Sequence, residues 1–383
     1  MMSPKLLLAG CLLAGATVAL PAEAQLNPPA PDPLARIRAA AAAEACSVQE
    51  VSACAQAAPK IIASALGPSS LETNLRRLTD EIGSRVTGSP QMALAVDWAV
   101  AAFRAAGVDA VNTETFTVPA AWIDWKAPLE SLAPAGSMEG QNVIAEIRGR
   151  EKPDEFVLLG AHLDSWNLGA GALDAGCNAA LLIEAARVIR LTGLRPRRSI
   201  RFVLFSGAEQ GGLGAWAYVR AHRAELDSAA AAVFFSRGSG PITGFSLGGR
   251  TEIEPGVRES LALLDSSWNV NRHTGDASLA ADNLDVLLEG LPNLVANQED
   301  AGYAANHHTP SDTYDKVDLA SLKRNTAVAG VLAFGLAENA VPLGRRLSRA
   351  ETETLLVRTG LETKMKSAGL WRLWEGGERG RLP

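Results

Sequence analysis

Several side chains able to do chemistry follow short apolar runs. "FVLLGA" (156–161) leads into His162 and Asp164, "IRFVLF" (200–205) into Glu209, and "AAAVFF" (230–235) into Ser236 and Arg237. "NLVAN" (293–297) leads into a loop with His307, His308 and Asp312, and Asp174 stands in the Gly-rich "LGAGALDAG" ahead of a helical pattern. Imidazole and carboxylate are donors that zinc accepts. Each residue also has an ordinary role: a surface histidine at a strand end, Asp174 as a helix cap, Glu209 as a first-turn acid favoured by the helix dipole. Their recurrence behind successive runs is what points to a metal. On a strand, residues i and i+2 share a face, and a metal-bound imidazole commonly donates its second N–H to a carboxylate. Asp164 is therefore expected to orient His162, the alternative being an ordinary Asp turn.

One motif competes. Gly244-Phe245-Ser246-Leu247-Gly248 matches a nucleophile elbow, which requires a buried strand before it and a helix after it. The flanks "SRGSGPIT" and "GRTEIEPG" supply neither. A polar loop or hairpin fits better, and a serine hydrolase using Ser246 is the remote alternative.

The elements that must carry these residues alternate. Strands are expected at 142–147, 156–161, 200–205, 230–235 and 293–297. Helices are expected near 177–191, from about Leu213, and over 318–340. Short apolar runs of this kind are strands buried on both faces. The pattern predicts an α/β, three-layer sandwich with a mostly parallel central sheet and helices on both faces. In such sheets ligands bind beyond the carboxyl ends of the strands. Upstream, Ser69-Ser70-Leu71-Glu72 reads as a capping box opening a helix towards Ile82. Ser89-Pro90 opens another, with Gly107 past its end. Residues 117–141, with two tryptophans and three prolines, read as an irregular connection.

The chain has 383 residues, 47% apolar, enough for a well-buried core. A net charge of −6 with no long basic run argues against a nucleic-acid partner. Lys5, the apolar Leu6 to Leu20 and Ala22-Glu23-Ala24 read as a signal peptide over 1–24, predicting a periplasmic or extracellular protein. A membrane anchor is the alternative, but ~15 apolar residues fall short of the ~20 needed to span. Lipidation at Cys11 is a second alternative. Export permits disulfides: Cys46 and Cys54 either pair or stand free on an Ala-rich helix, and Cys177 is expected to be buried. A Pro- then Ala-rich segment fills 25–68 and the main domain 69–342. Residues 343–383, with Arg345, Arg346, Arg372, Arg379 and Arg381 among glutamates, read as a solvated tail.

"LLGAHLDSWNLGAGALDAG", "LFSGAEQGGLGA" and "HHTPSDTYDKVD", with "SRVTGSP" before them, resemble the zinc exopeptidases around carboxypeptidase Q and the di-zinc aminopeptidases. The likeness runs from about Leu71 to Ala340. It implies a phosphorylase/hydrolase-like sandwich, two zinc ions in active members, and exopeptidase or dipeptidase action on short peptides. It further implies that His162 serves one zinc, that Asp174 bridges both, and that Glu209 and His308 serve the other, with His307 a possible substitute. A cis peptide after Asp174 is also implied.

The departures from this pattern are specific. The family's Glu-Glu is Ala208-Glu209 here, and the missing Glu is the general base. The family's Asp aligned with Ser236 is absent, and no acid occurs from Ala229 to Arg250. Asp-Asp-Gly is Asp174-Ala175-Gly176, Asn167 replaces a usual Asp, and a short connection stands where carboxypeptidase Q carries an inserted domain. His162 and Asp174 alone fall short of the usual three protein ligands, whereas Asp174, Glu209 and His308 make a full set. Glutaminyl cyclases, relatives of the family, hold a single zinc on such a set. The expectation is one zinc rather than two, short peptides or dipeptides as ligands, and weak or absent peptidase activity. The alternatives are a catalytically dead, peptide- or partner-binding homologue, and a residual exopeptidase with Asp312 or Glu299 as base.

Overall fold

The structure is a computed structural model that describes residues 52–118, 138–279 and 282–382. The expected signal peptide, Cys11, Cys46 and its pairing with Cys54, and most of the 117–141 connection lie outside these residues.

Three helices open the described chain. α1 (Ala53–Leu66) is capped by Ser52, whose Oγ accepts the Ala55 N–H at 3.2 Å. α2 (Leu71–Arg76) continues as a wider turn to Ile82. Its expected capping box does not form: the Ser70 side chain caps no helical N–H, the Ser69 Oγ accepts the Leu71 N–H at 3.3 Å, and Glu72 turns to Arg76 and the Tyr314 hydroxyl. α3 (Pro90–Ala105) has Ser89 as its N-cap and Pro90 in its first turn, positions where each residue costs least.

The sheet follows with its crossover helices: β1 (Ala110–Val118), β2 (Met138–Ile147), β3 (Lys152–His162), α4 (Cys177–Leu191), β4 (Arg198–Phe205), α5 (Leu213–Ala221), β5 (Ala229–Phe234) and β6 (Ile242–Ser246). Beyond them lie α6 (Glu254–Ser260), α7 (Asn283–Leu288), β7 (Asn293–Gln298), α8 (Tyr303–Asn306) and α9 (Leu319–Glu338). Spatial order is β1-β2-β4-β3-β5-β7-β6. The central four, β4, β3, β5 and β7, are parallel. β2 runs antiparallel to β1 and β4, and β6 antiparallel to β7, so the sheet is mixed and its antiparallel pairs sit at the two edges. The sequence reading did not assign β1. It also read the Ser246 segment as a polar loop or hairpin, whereas Gly244 to Ser246 pair antiparallel with the distant β7 as an edge strand.

Alternate residues of the central strands face opposite layers. Val157, Leu159, Ile200, Phe202 and Leu294 pack against α1, α3, α4 and α9. Phe156, Leu158, Val203, Phe205 and Val295 pack against α5 and α7. Gly160 is required midway along β3, because a Cβ there would lie 2.7 Å from the Phe234 ring and 2.9 Å from Phe205.

The C-terminal segment corrects the solvated-tail reading. It folds into α10 (Arg349–Arg358), α11 (Leu361–Ser367) and α12 (Trp371–Glu375). Leu355, Leu356, Leu361, Met365, Trp371 and Trp374 form an apolar layer with Leu287 and Leu288 of α7. Arg379, 3% exposed, makes two 2.8 Å hydrogen bonds to the Asp285 carboxylate. Arg345 does remain at the surface. The charged residues mask an apolar face whose members recur at helical spacing.

Candidate metal centre

β3 ends on His162, and a loop then returns to place Asp174 in front of α4. Asp174 is 4% exposed and stands at the middle of the site. Its Oδ1 lies 3.5 Å from His162 Nε2 and accepts the Tyr303 hydroxyl at 2.9 Å. Its Oδ2 lies 3.2 Å from His307 Nε2 and 3.3 Å from His308 Nε2. His308 Nε2 is also 2.9 Å from Glu209 Oε2. His162, Asp174 and Glu209 each bring one donor atom within 4.8 Å of the other two, as do Asp174, His307 and His308. Zn–N and Zn–O bonds of ~2.0–2.2 Å put tetrahedral ligands roughly 3.3–3.6 Å apart, so the spacing suits such an ion. The peptide from Asp174 to Ala175 is cis.

The supporting shell is more extensive than the sequence indicated. The His162 Nδ1 pairs with the backbone carbonyl of Asp164 at 3.0 Å, and the Asp164 carboxylate is farther away at 3.6 Å. That carboxylate instead accepts the Ala208 and Glu209 N–H groups at 3.3 and 3.2 Å and the Thr87 hydroxyl at 3.2 Å. Asp164 therefore fixes the Glu209 loop with its side chain and His162 with its backbone. Asp312 accepts the Leu173 and Asp174 N–H groups at 2.6 and 3.2 Å. With both oxygens so engaged, it is a brace behind Asp174 rather than a free base. Arg85, fully buried, donates to the carbonyls of Leu163, Gly83, Ala170 and Gly171, tying the end of β3 to the Asp174 loop. Burial brings its guanidinium down to about 10. From behind, Arg379 donates to the Gly211 carbonyl at 2.9 Å. The rings of Trp166, His308 and His307 stack at 4.4 and 3.7 Å. His308 itself has a left-handed backbone, φ 58°, which non-glycine residues seldom adopt.

The charged partners of Asp174 and Glu209 are imidazoles. Burial opposes charge on Asp174, but His162 and His308 outweigh it and hold the carboxyl well below its usual range. Burial pushes Glu209 up, and the neighbouring Asp174 charge adds to this against the His308 bond. The adjacent Asp174 and Glu209 carboxylates raise the His308 imidazole to about 10. Glu209 Oε1 is a buried acceptor with no hydrogen-bond donor, and Asp174 Oδ2 meets the His307 and His308 nitrogens only at 3.2 and 3.3 Å, outside hydrogen-bond geometry. Orphaned acceptors of this kind are costly unless an ion or water meets them. Two carboxylates and two or three imidazoles with unused lone pairs fit zinc.

A cavity of about 500 Å³ opens over these atoms, lined by His162, Asp174, Ala208, Glu209, Ser236 and Arg237 on the strand side and by Tyr303, Ala304, His307 and His308 opposite. Residues 142–333 match the family model described as peptidase family M28. The chain belongs to peptidase family M28. Carboxypeptidase Q of Rattus norvegicus is 32% identical over 197 residues, 51% of this chain and 41% of that protein, so the chain spans well under two thirds of that relative. Transferrin receptor protein 1 of Gallus gallus is 40% identical over 93 residues, 23% of this chain and 12% of that protein. Among solved structures, the peptidase M28 precursor from Shewanella amazonensis SB2B superposes with a TM-score of 0.66 at 23% identity, covering 76% of this chain and 98% of that one. BSAP, a zinc aminopeptidase from Bacillus subtilis, gives 0.56 at 15% identity, covering 68% and 93%. At those identities the superpositions speak for the fold.

Of the residues singled out in this M28 sequence, His162, Asp174, Glu209, His307 and His308 converge, and Ser236 and Arg237 join them at the cavity wall. Glu299 is exposed and does not line it. Ser246 lies elsewhere: it is 3% exposed in edge strand β6, and its hydroxyl donates to the Asp276 carbonyl at 2.9 Å. With no helix starting directly after it, α6 beginning only at Glu254, and with its hydroxyl bonded to a backbone carbonyl, it is not an elbow nucleophile. Sequence reasoning missed Tyr303, Trp166 and Arg85. Trp166 and Arg85 lie inside the motifs, but nothing in a motif tells which member stacks and which clamps.

Proposed function

We propose that this M28 protein is exported, holds one zinc ion on Asp174, Glu209 and His308, binds short peptides over that centre, and hydrolyses them weakly or not at all. The carrying observation is the composition of the cavity wall. Among the described residues its only carboxylates are Asp174 and Glu209, and Ala208 stands beside Glu209 with no acid of its own. When bound, zinc supplies Lewis-acid polarisation of a peptide carbonyl. The protein's own part is to hold the donors through Asp164, Asp312 and Arg85 and to seat the peptide in the cavity. Peptide hydrolysis also needs a group to take the proton of the attacking water, and losing one costs typically ~10²–10⁴-fold. Asp312 and Glu299 do not fill that role from their positions. A relative named as a receptor lends support to a binding role for this scaffold. Export rests on Leu6 to Leu20 and Ala22-Glu23-Ala24.

Metal analysis beside a dipeptide hydrolysis assay tests this. The expected result is about one zinc per chain with turnover near background. Robust turnover abolished by Glu209→Ala would overturn it and mean that another group serves as base.

A further inference from the structure

The cavity pairs its acidic, histidine-rich side with a cation. Arg237 lies three residues beyond the end of β5, is exposed, and lines the cavity. Its backbone N–H donates to Gln298 Oε1 at 3.3 Å, and its guanidinium carbon lies 5.8 Å from the centre of the Tyr303 ring. That distance is within cation–π range. Tyr303 is in turn anchored through its hydroxyl to Asp174. Among the described residues no carboxylate sits within ion-pair distance of Arg237. Next to it, Ser236 is 6% exposed and its Oγ has no partner. A buried hydroxyl left without a partner is costly unless a ligand meets it. Two donors, one charged and one neutral, thus face the same cavity with nothing to donate to.

Charge decides what they receive. Two carboxylates, Asp174 and Glu209, are offset by one divalent zinc, which leaves Arg237 as the uncompensated charge of the cavity. A peptide's ammonium end is repelled there and a carboxylate is attracted. Guanidinium also matches carboxylate geometry with two parallel hydrogen bonds. The volume of about 500 Å³ is of the size that holds a small peptide.

We propose that Arg237 and Ser236 form a carboxylate-binding subsite beside the zinc centre, so that the cavity selects short peptides carrying a carboxylate near the scissile bond. This rests on the peptide-binding reading above and names its ligand class. The carboxylate is either the C-terminal group or an acidic side chain.

Calorimetric titration of the zinc-loaded full chain with Ala-Ala, Ala-Ala-amide, N-acetyl-Ala-Ala and Ala-Glu-amide tests it, with zinc content measured on the same samples. Ala-Ala should bind at least about 10-fold more tightly than its amide. N-acetylation should cost little. Ala-Glu-amide recovering the loss would identify the side chain as a sufficient source, and failing to recover it would identify the terminal carboxylate. Arg237→Gln should remove the acid-over-amide preference while leaving zinc per chain unchanged. Arg237→Lys should retain part of it. Equal binding of acid and amide by the wild type, preference surviving in Arg237→Gln, or no binding of any peptide by zinc-loaded protein would overturn the subsite. Absence of bound zinc would sink the metal reading and, because the charge balance above includes that ion, the subsite with it, whereas bound zinc without an acid-over-amide preference overturns the subsite alone.

Discussion

The two sides of Asp174 are built by the same means and end in different chemistry. On one side Glu209 and His308, with His307 stacked behind, present a carboxylate and imidazoles. On the other His162 approaches Asp174 Oδ1, and Ser236 and Arg237 line the same cavity. Both sides sit at carboxyl ends of parallel strands, and both are braced, through Asp164, Asp312 and Arg85. Positional support therefore does not distinguish them. Charge does: one side is short of a cation, and the other already carries one. The strands are held by burial of Leu159, Phe202 and their neighbours, and none of the residues at stake contributes to that core. Metal-binding content can thus be lost from one side without cost to the fold.

The sharpest way to break this contrast is to add acids to the cavity. Ala208→Glu with Ser236→Asp places one carboxylate beside Glu209 and another on the wall next to Arg237. The double variant should approach two zincs per chain and gain dipeptidase activity of ~10²-fold or more over the wild type. Each single change should give little, because base and metals act as a unit. Adding Arg237→Gln should raise the second zinc's occupancy further by removing the cation beside it. Metal analysis and a dipeptide assay read all three.

Next in size is ligand removal. Glu209→Ala or His308→Ala should weaken zinc by more than the ~10–100-fold typical of supporting residues. His162→Ala should change it by less than about 3-fold if one ion sits on the intact side, with supporting-residue losses as the yardstick. Equal losses would place the ion between the sides. Competition with a chromogenic chelator measures this.

The intact side also leans on the C-terminal layer, through Arg379 and the carbonyls of Gly211 and Gly212. Arg379→Met leaves Asp285 buried without its partner, which costs ~3–5 kcal/mol in urea unfolding. Zinc affinity should fall with it. Pairing the change with Asp285→Asn should recover part of the stability.

A smaller effect lies outside the pocket and serves as its control. His222 bridges Glu114, at 2.8 Å, and Glu225. Burial lowers its imidazole, but the two carboxylates outweigh this and raise it above the ordinary 6.5. A raised folded value means the stabilisation is fully present below about 6.5 and is lost as pH rises through the folded value. The half-exposed site limits it to under about 1 kcal/mol. Urea midpoints should show this loss in wild type, with or without a chelator, and His222→Gln should flatten it.

Much of the fold was legible because its determinants are local. "FVLLGA", "IRFVLF" and "NLVAN" are strands whose apolar residues meet both helical layers, and a parallel pairing follows once helices must cross between them. Ser89-Pro90 marked a helix start through backbone chemistry alone. The converging donors His162, Asp174, Glu209 and His308 were legible for a related reason, since strand ends share one edge of the sheet. The sequence could not assign edge strands β1, whose residues are largely exposed, and β6, which is buried but interrupts its apolar residues with Thr243, Gly244 and Ser246. Nor could it tell that Asp164 spends its carboxylate on the Glu209 loop and only its backbone on His162. The C-terminal arginines looked solvated until Trp371, Trp374 and Asp285 were in place around them. These outcomes depend on which surfaces lie opposite each other after the chain has closed. A charged side chain reads the same in sequence whether it meets an exposed carboxylate, as Arg345 does with Glu351, or a buried one, as Arg379 does with Asp285.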